Sequence, residues 1–298
     1  MRLEDVVGKG KGLVATRAIA RGELILKERP VLRRPDIAVA GAREIEELNR
    51  EFTRLPPEQQ AAIMELADNS KLGLLAGKSL IGIFVTNCFG LGSDATENGL
   101  FLTISRFNHS CRSNAIFSWS DSNQIESVYA VQDIPVGTEI TVSYIRDQFM
   151  TVQERQQYLH RVYSFDCTCD LCTLDEAGRR ASDRNRLRMK SLHDEIYRTI
   201  AAGRGRKGVK LVTDLVSLMD TEMIDPATIA AVQYDAVQGC LSAGDLEEAS
   251  EWAWKAYENY AIAVGPDSDE ALRMKGYAEN PKSHYLAGGS GGVGCPTQ

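Results

Sequence analysis

Asn108-His109-Ser110-Cys111, followed by Ser143-Tyr144 and then by Cys167-Thr168-Cys169-Asp170-Leu171-Cys172, is the part of the chain that decides how the rest is read. It brings together four thiols, a tyrosine hydroxyl and an amide side chain. In a reducing compartment a tight C-x-C-x-x-C cluster reads as a metal site, because thiolates hold zinc tetrahedrally, and this cluster supplies three of the four ligands. Cys111, in its dense polar run, is the candidate for the fourth. If it closes the site, one ion ties two distant stretches of chain together.

The chain has 298 residues, 43% hydrophobic and 25% charged, which predicts two globular units, each able to bury its own core. No apolar run approaches the ~20 residues needed to span a bilayer. Met1-Arg2-Leu3-Glu4-Asp5 is charged and lacks the apolar stretch of a secretory signal, so the expected setting is the nucleus and/or cytoplasm, where disulfides are rare. Cys88, Cys240 and Cys295 then read as inert packed thiols. A formal charge of −7 argues against a general nucleic-acid grip, which needs clustered Lys and Arg, and suits lysine-rich partners instead. Arg204-Gly205-Arg206-Lys207 and Arg179-Arg180 read as solvated faces.

Around this core of motifs the chain alternates. Leu13-Val14-Ala15-Thr16 and Glu23-Leu24-Ile25-Leu26 are β-type runs around Ala20-Arg21-Gly22, and predict a hairpin. From Asp36 to Leu75 the apolar residues recur at helical spacing, broken by Pro56-Pro57, which predicts a two-helix insert. Further strands are expected at Phe101–Ile104, Ala115–Trp119, Glu126–Val131 and Glu139–Tyr144, the last after a turn at Pro135-Val136-Gly137. Thr151-x-x-Glu154 is a capping box for a helix ending near Tyr163. Beyond Ala181 the pattern is helical, with breaks at Gly203-Arg204-Gly205 and Asp225-Pro226. Ile229, Val232, Ala236, Cys240 and Leu241 share one helix face, and Leu246, Ala249, Ala253, Ala256 and Tyr260 face back across Gly244-Asp245, like one tetratricopeptide unit. The tail from Gly288 to Gly292 is flexible in composition.

In order, Gly10-Lys11-Gly12-Leu13, Asn108-His109-Ser110-Cys111, Gly137-x-Glu139-Ile140 leading to Ser143-Tyr144, and the three-cysteine cluster resemble a SET domain with its post-SET zinc site. The resemblance covers about residues 7–174. The helical insert and helical C-terminal part make it similar to the SET- and MYND-domain group, but no Cys or His occurs between Arg33 and Ser79, so the MYND finger is missing and fungal-type SET proteins are the better likeness. The fold class so implied is α+β: a β-rich SET domain over 1–164 with a helical insert at about 36–79, a post-SET zinc segment at 165–180, an all-α, tetratricopeptide-like domain at 181–286 and a flexible tail at 287–298.

The resemblance implies transfer of a methyl group from S-adenosylmethionine to a lysine of a histone or another protein, with no membrane and no sequence-specific nucleic acid involved. It implies catalytic roles for Tyr144 and Tyr163, the plain alternative being tyrosines of the core. Phe165 matches the aromatic that stacks on adenine, or is core. Gly10, Lys11 and Gly12 match the loop that carries the methionine end of the cofactor, although Lys11 stands where Asn is frequent. Asn87 matches an amide contacting the same end. Asn108 and His109 match the pair holding the adenine, with Ser105 and Arg106 alongside and Tyr144 at the transferring methyl. A structural zinc on Cys111, Cys167, Cys169 and Cys172 completes the set, four thiolates leaving no open position. Three other readings are a zinc protein that binds DNA through its cluster, which the acidic balance disfavours, a catalytically weak SET scaffold that binds partners through its helical domain, and a Cys-His nucleophile at His109 and Cys111. The last is disfavoured because side chains two apart on an extended chain need not converge.

Overall fold

The structure is a computed structural model that describes residues 1–35, 42–69, 77–92 and 96–288. The chain divides into two compact units, Met1–Arg179 and Arg180–Gln298. The expected tail beyond Gly288, Cys295, and the parts of the expected insert at 36–41 and 70–76 lie outside the described residues.

In chain order the first unit carries β1 (Arg2–Val6), β2 (Gly10–Val14), β3 (Leu24–Glu28), β4 (Leu32–Pro35), α1 (Ala42–Phe52), α2 (Pro57–Met64) and α3 (Leu80–Asn87), then β5 (Phe89–Gly90), β6 (Glu97–Leu100), β7 (Asn108–His109), β8 (Ala115–Ser120), β9 (Ile125–Ala130), β10 (Glu139–Val142) and α4 (Val152–Tyr163). The strands form three small sheets, ordered β1-β2-β10-β7, β3-β9-β8 and β4-β6-β5. In the first sheet β10 pairs antiparallel with β2 and parallel with β7. Leu13, Ile140 and Val142 are thereby buried against Phe101, Ile104 and Phe107. Leu48 and Ile63 of the helical insert, with Ile83 and Phe84 of α3, close a second core over Leu32 and Leu100.

Two expectations are corrected here. The run Leu13–Thr16 does not form a hairpin with Glu23–Leu26: β2 pairs with β1 and β10, while β3 pairs with β9. The true hairpin is β1–β2, turned by Val7-Gly8-Lys9, with Gly8 at φ +75 and Lys9 N–H donating to Val6 O at 3.0 Å. The strand expected at Phe101–Ile104 falls earlier, at Glu97–Leu100, and Ile104–Arg106 is a 3₁₀ turn. Its start is fixed by Glu28, whose carboxylate accepts from the amides of Leu102, Thr103 and Ile104. Helix α3 was not legible either: Leu-Ile-Gly-Ile-Phe-Val has strand-type composition, but Ser79 Oγ caps its first turn from Gly82 N–H at 3.0 Å and Leu80, Ile83 and Phe84 are buried in the second core.

The Thr151–Glu154 capping box is complete, and α4 ends at Ser164 in the left-handed conformation, φ 59, from which the chain enters the cysteine cluster. The second unit holds α6 (Gly205–Glu222), α7 (Pro226–Ser242), α8 (Leu246–Val264) and α9 (Asp269–Glu279), following the long α5 (Glu176–Ala201). Ala230, Ala236, Ala249, Ala253 and Ala256 are fully buried, so small residues line the α7–α8 contact. The helix breaks fall at Gly203-Arg204 and Asp225, where Asp225 Oδ1 caps α7 from Thr228 N–H at 2.9 Å.

Candidate active site and metal centre

The Sγ atoms of Cys111, Cys167, Cys169 and Cys172 lie within 4.8 Å of one another, and all four residues are buried. Four thiolates bound at ~2.3 Å to one tetrahedral ion stand ~3.8 Å apart. Cys111 Sγ is 3.9 Å from Cys167 Sγ and 3.6 Å from Cys172 Sγ, so the donor set fits a zinc-sized thiophilic ion. Hydrogen bonds from its three neighbours hold the Cys169 thiol far below the ordinary range, while the same contacts push Cys111 up. Four unmetallated thiols can share only so much negative charge; a cation removes that limit. Two side-chain nitrogens flank the cluster: His109 Nε2 is 3.2 Å from Cys111 Sγ, and Nη2 of the buried Arg155 is 4.0 Å from Cys172 Sγ. The imidazole and the Cys111 thiol therefore do converge, contrary to the sequence expectation, because β7 ends at His109 and the chain bends back into the cluster.

Beside the cluster lies a cavity of about 390 Å³. Of the residues assigned to cofactor or catalysis by resemblance, Gly10, Lys11, Asn87, Ser105, Arg106, Asn108, His109, Tyr144, Tyr163 and Phe165 border it. Gly12 does not. A Cβ on Gly12 would stand 2.6 Å from Asn108 Nδ2 and 2.7 Å from Glu139 Oε1, so this glycine lets β2 pass behind the wall. Asn108 Nδ2 donates to Glu139 Oε1 at 2.8 Å and Lys11 O at 3.3 Å, and Lys9 Nζ reaches Glu139 Oε2 at 2.7 Å. Asn87 Nδ2 donates to Ala67 O and Ile83 O, and Ser105 Oγ to Asn87 O. The Arg106 guanidinium caps α2 through Ala62 O and Glu65 O, drawing Glu65–Ala67 into the cavity wall.

Tyr144 Oη donates to Phe107 O at 2.7 Å, and its amide donates to His109 Nδ1 at 3.0 Å. The Tyr144 ring lies 4.9 Å from that of Tyr163 and 6.4 Å, nearly perpendicular, from Phe165. Burial, helped by the neighbouring Tyr163, pushes the Tyr144 phenol well above its ordinary value, and burial does the same for Tyr163. Both stay neutral hydroxyls near neutral pH. His109, only 3% exposed, is pushed down by burial to about 4 and is an uncharged imidazole.

A SET domain is matched by residues 10–145. The chain is 30% identical to the histone-lysine N-methyltransferase set5 of Schizosaccharomyces pombe over 97% of its own length and 86% of the yeast protein. It is 26% identical to the human histone-lysine N-methyltransferase SMYD3 over 55% of its length, and 29% identical to the chicken N-lysine methyltransferase SMYD2 over 44%, spanning only 39% and 28% of those two proteins. The chain belongs to the SET-domain family. Among the described residues no helix is long and apolar enough to cross a membrane.

Sequence reading missed Lys9, Glu65 and Asn69 as parts of the wall. The glycine loop signals Lys9 only as its neighbour. Glu65 and Asn69 belong to the insert, which touches the site through three-dimensional packing that no local pattern encodes; Asn69 Nδ2, for instance, donates to Tyr163 O at 3.0 Å.

Proposed function

We propose that the protein is a zinc-containing, S-adenosylmethionine-dependent protein-lysine N-methyltransferase acting on a histone or another protein. The observation that carries this reading is the convergence of Gly10–Lys11, Asn108–His109, Tyr144, Tyr163 and Phe165 on one cavity that Cys167 of the four-cysteine cluster also borders. The bound cofactor supplies an electrophilic methyl group on a sulfonium. The volume suits a cofactor-sized ligand. Backbone at Gly10 and Lys11 and the carbonyl oxygen of Asn87's side chain would receive its amino-acid end, with the polar run Ser105, Arg106, Asn108 and His109 and the Phe165 ring at its adenine.

In-line displacement asks the protein mainly for positioning and for oxygen acceptors around the moving group. With its proton committed to Phe107 O, Tyr144 Oη keeps lone pairs for a positively polarised methyl. A neutral phenol is no general base, so the lysine must arrive deprotonated. The aromatic walls from Tyr144, Tyr163 and Phe165 favour that by desolvating the ammonium form. Four thiolates leave a zinc no open position, which makes it structural: it would brace the segment carrying Phe165 against the cavity. A SET scaffold that recruits partners is the reading left if the cofactor does not bind.

Calorimetric titration of S-adenosylmethionine into the zinc-loaded protein, beside Cys169→Ser with zinc content recorded, tests this. Saturable binding that disappears with the zinc, followed by transfer of labelled methyl to a lysine protein, is expected. No binding to folded, zinc-loaded protein would overturn it.

A further inference from the structure

The methyl transfer proposed for the site does not require its histidine side chain to do anything, yet that side chain is buried with both ring nitrogens engaged. Nδ1 accepts the Tyr144 amide at 3.0 Å, and Nε2 stands 3.2 Å from Cys111 Sγ. A nitrogen that accepts an N–H carries no proton of its own, so the single proton of the neutral ring sits on Nε2. It points at the sulfur. A metal-bound thiolate is a far better acceptor for that proton than a thiol, and donors to coordinated thiolates lower the charge the ion must offset. The two bonds therefore belong together: filling the metal site strengthens N–H···S on one side of the ring, which fixes the ring, which holds the tyrosine amide on the other side.

We propose that His109 is a positioning residue whose imidazole ties the backbone of Tyr144 to the thiolate of Cys111, so that a metal on the four cysteines sets where the tyrosine stands. The Tyr144 hydroxyl is anchored separately, to Phe107 O at 2.7 Å. Amide and hydroxyl are thus pinned at both ends of the residue, one by His109 of β7 and one by the buried Phe107 just before it. That this alignment serves methyl transfer rests on the methyltransferase reading; the coupling of tyrosine to metal does not.

The substitutions that separate the two bonds are His109→Asn, whose amide oxygen replaces Nδ1 as acceptor but cannot reach Cys111, and His109→Gln, whose amide nitrogen replaces Nε2 as donor but leaves the Tyr144 amide without its acceptor. In zinc-loaded full-length protein, His109→Asn is expected to surrender zinc to a chelator about 10- to 100-fold faster with the Tyr144 amide still protected from hydrogen exchange. His109→Gln is expected to keep its zinc while Tyr144 amide exchange accelerates about tenfold or more and affinity for S-adenosylmethionine falls. Nuclear magnetic resonance of isotope-labelled histidine in the unmutated protein reads the tautomer directly, whatever the variants' folding. A proton on Nδ1, or variants matching the parent in both zinc retention and amide exchange, would overturn the relay. If the parent fails to bind the cofactor but shows the expected tautomer and exchange behaviour, the methyltransferase reading falls and the relay stands.

Discussion

A phenol whose proton is committed to a carbonyl has only lone pairs left to offer, and Tyr144 is in that state. Replacing it by Phe removes the oxygen while leaving the ring packed against Tyr163 and Phe165. Turnover is expected to drop by about 100-fold or more, with cofactor affinity near that of the parent, in a paired kinetic and calorimetric measurement. A second single residue contributes to the response to pH. Glu126 is fully buried on the core face of β9, and neither carboxyl oxygen has a hydrogen-bond partner. Burial raises its pKa from 4.5 to about 8. The folded state then holds a proton that the unfolded state has released between pH 4.5 and 8, so stability from this group is full below that window and falls through it as pH rises, by about 1.4 kcal/mol per unit. Glu126→Gln should flatten that decline in denaturant titrations taken at pH 5 and 8; an unchanged slope would show that Glu126 does not titrate there. The tyrosine and the cysteines were legible in the sequence because their spacing is itself the signal. Glu126 was not: on a strand the same letter reads as exposed or buried according to which sheet face it meets.

At the scale of elements, β2 shows what local patterning supplies and what it withholds. Alternation marked Leu13–Thr16 as strand-forming, but pairing is a non-local choice, and besides its hairpin partner β1 the strand pairs with one more than a hundred residues away. The capping box of α4 and the helix breaks of the second unit were legible, since caps and Pro or Gly breaks act within one turn. Gly12 was legible as part of a motif but for a different physical task, making room for the Asn108 amide and the Glu139 carboxylate behind the cavity wall. Gly12→Ala is expected to cost about 1–3 kcal/mol in chemical unfolding and to weaken cofactor binding, because relief of the clash must move Asn108. Gly10, with φ +73 and no atom near an added Cβ, should lose stability through backbone strain alone, by about 1–2 kcal/mol. Equal cofactor affinities for the two alanine variants would remove the distinction.

For the whole molecule the decisive links are those that join residues far apart in sequence. Cys111 and Cys167 are 56 positions apart, and a metal bound between them would act as a reversible cross-link over that span. Chelation should therefore lower the melting temperature and abolish cofactor binding together, both returning with zinc; a metal-free sample with full cofactor affinity would break that connection. The pairing of β10 spans more still. Lys9 meets Glu139 across 130 positions, and the Arg21 amide meets Asp133 across 112. On the ribosome, β1 and β2 emerge early and wait, with one edge of their hairpin open, until β10 has been made. Folding of this unit is thus tied to the completion of a late segment, and such non-local pairing is slow relative to local contacts, which leaves the nascent chain dependent on whatever shields that open edge in the meantime.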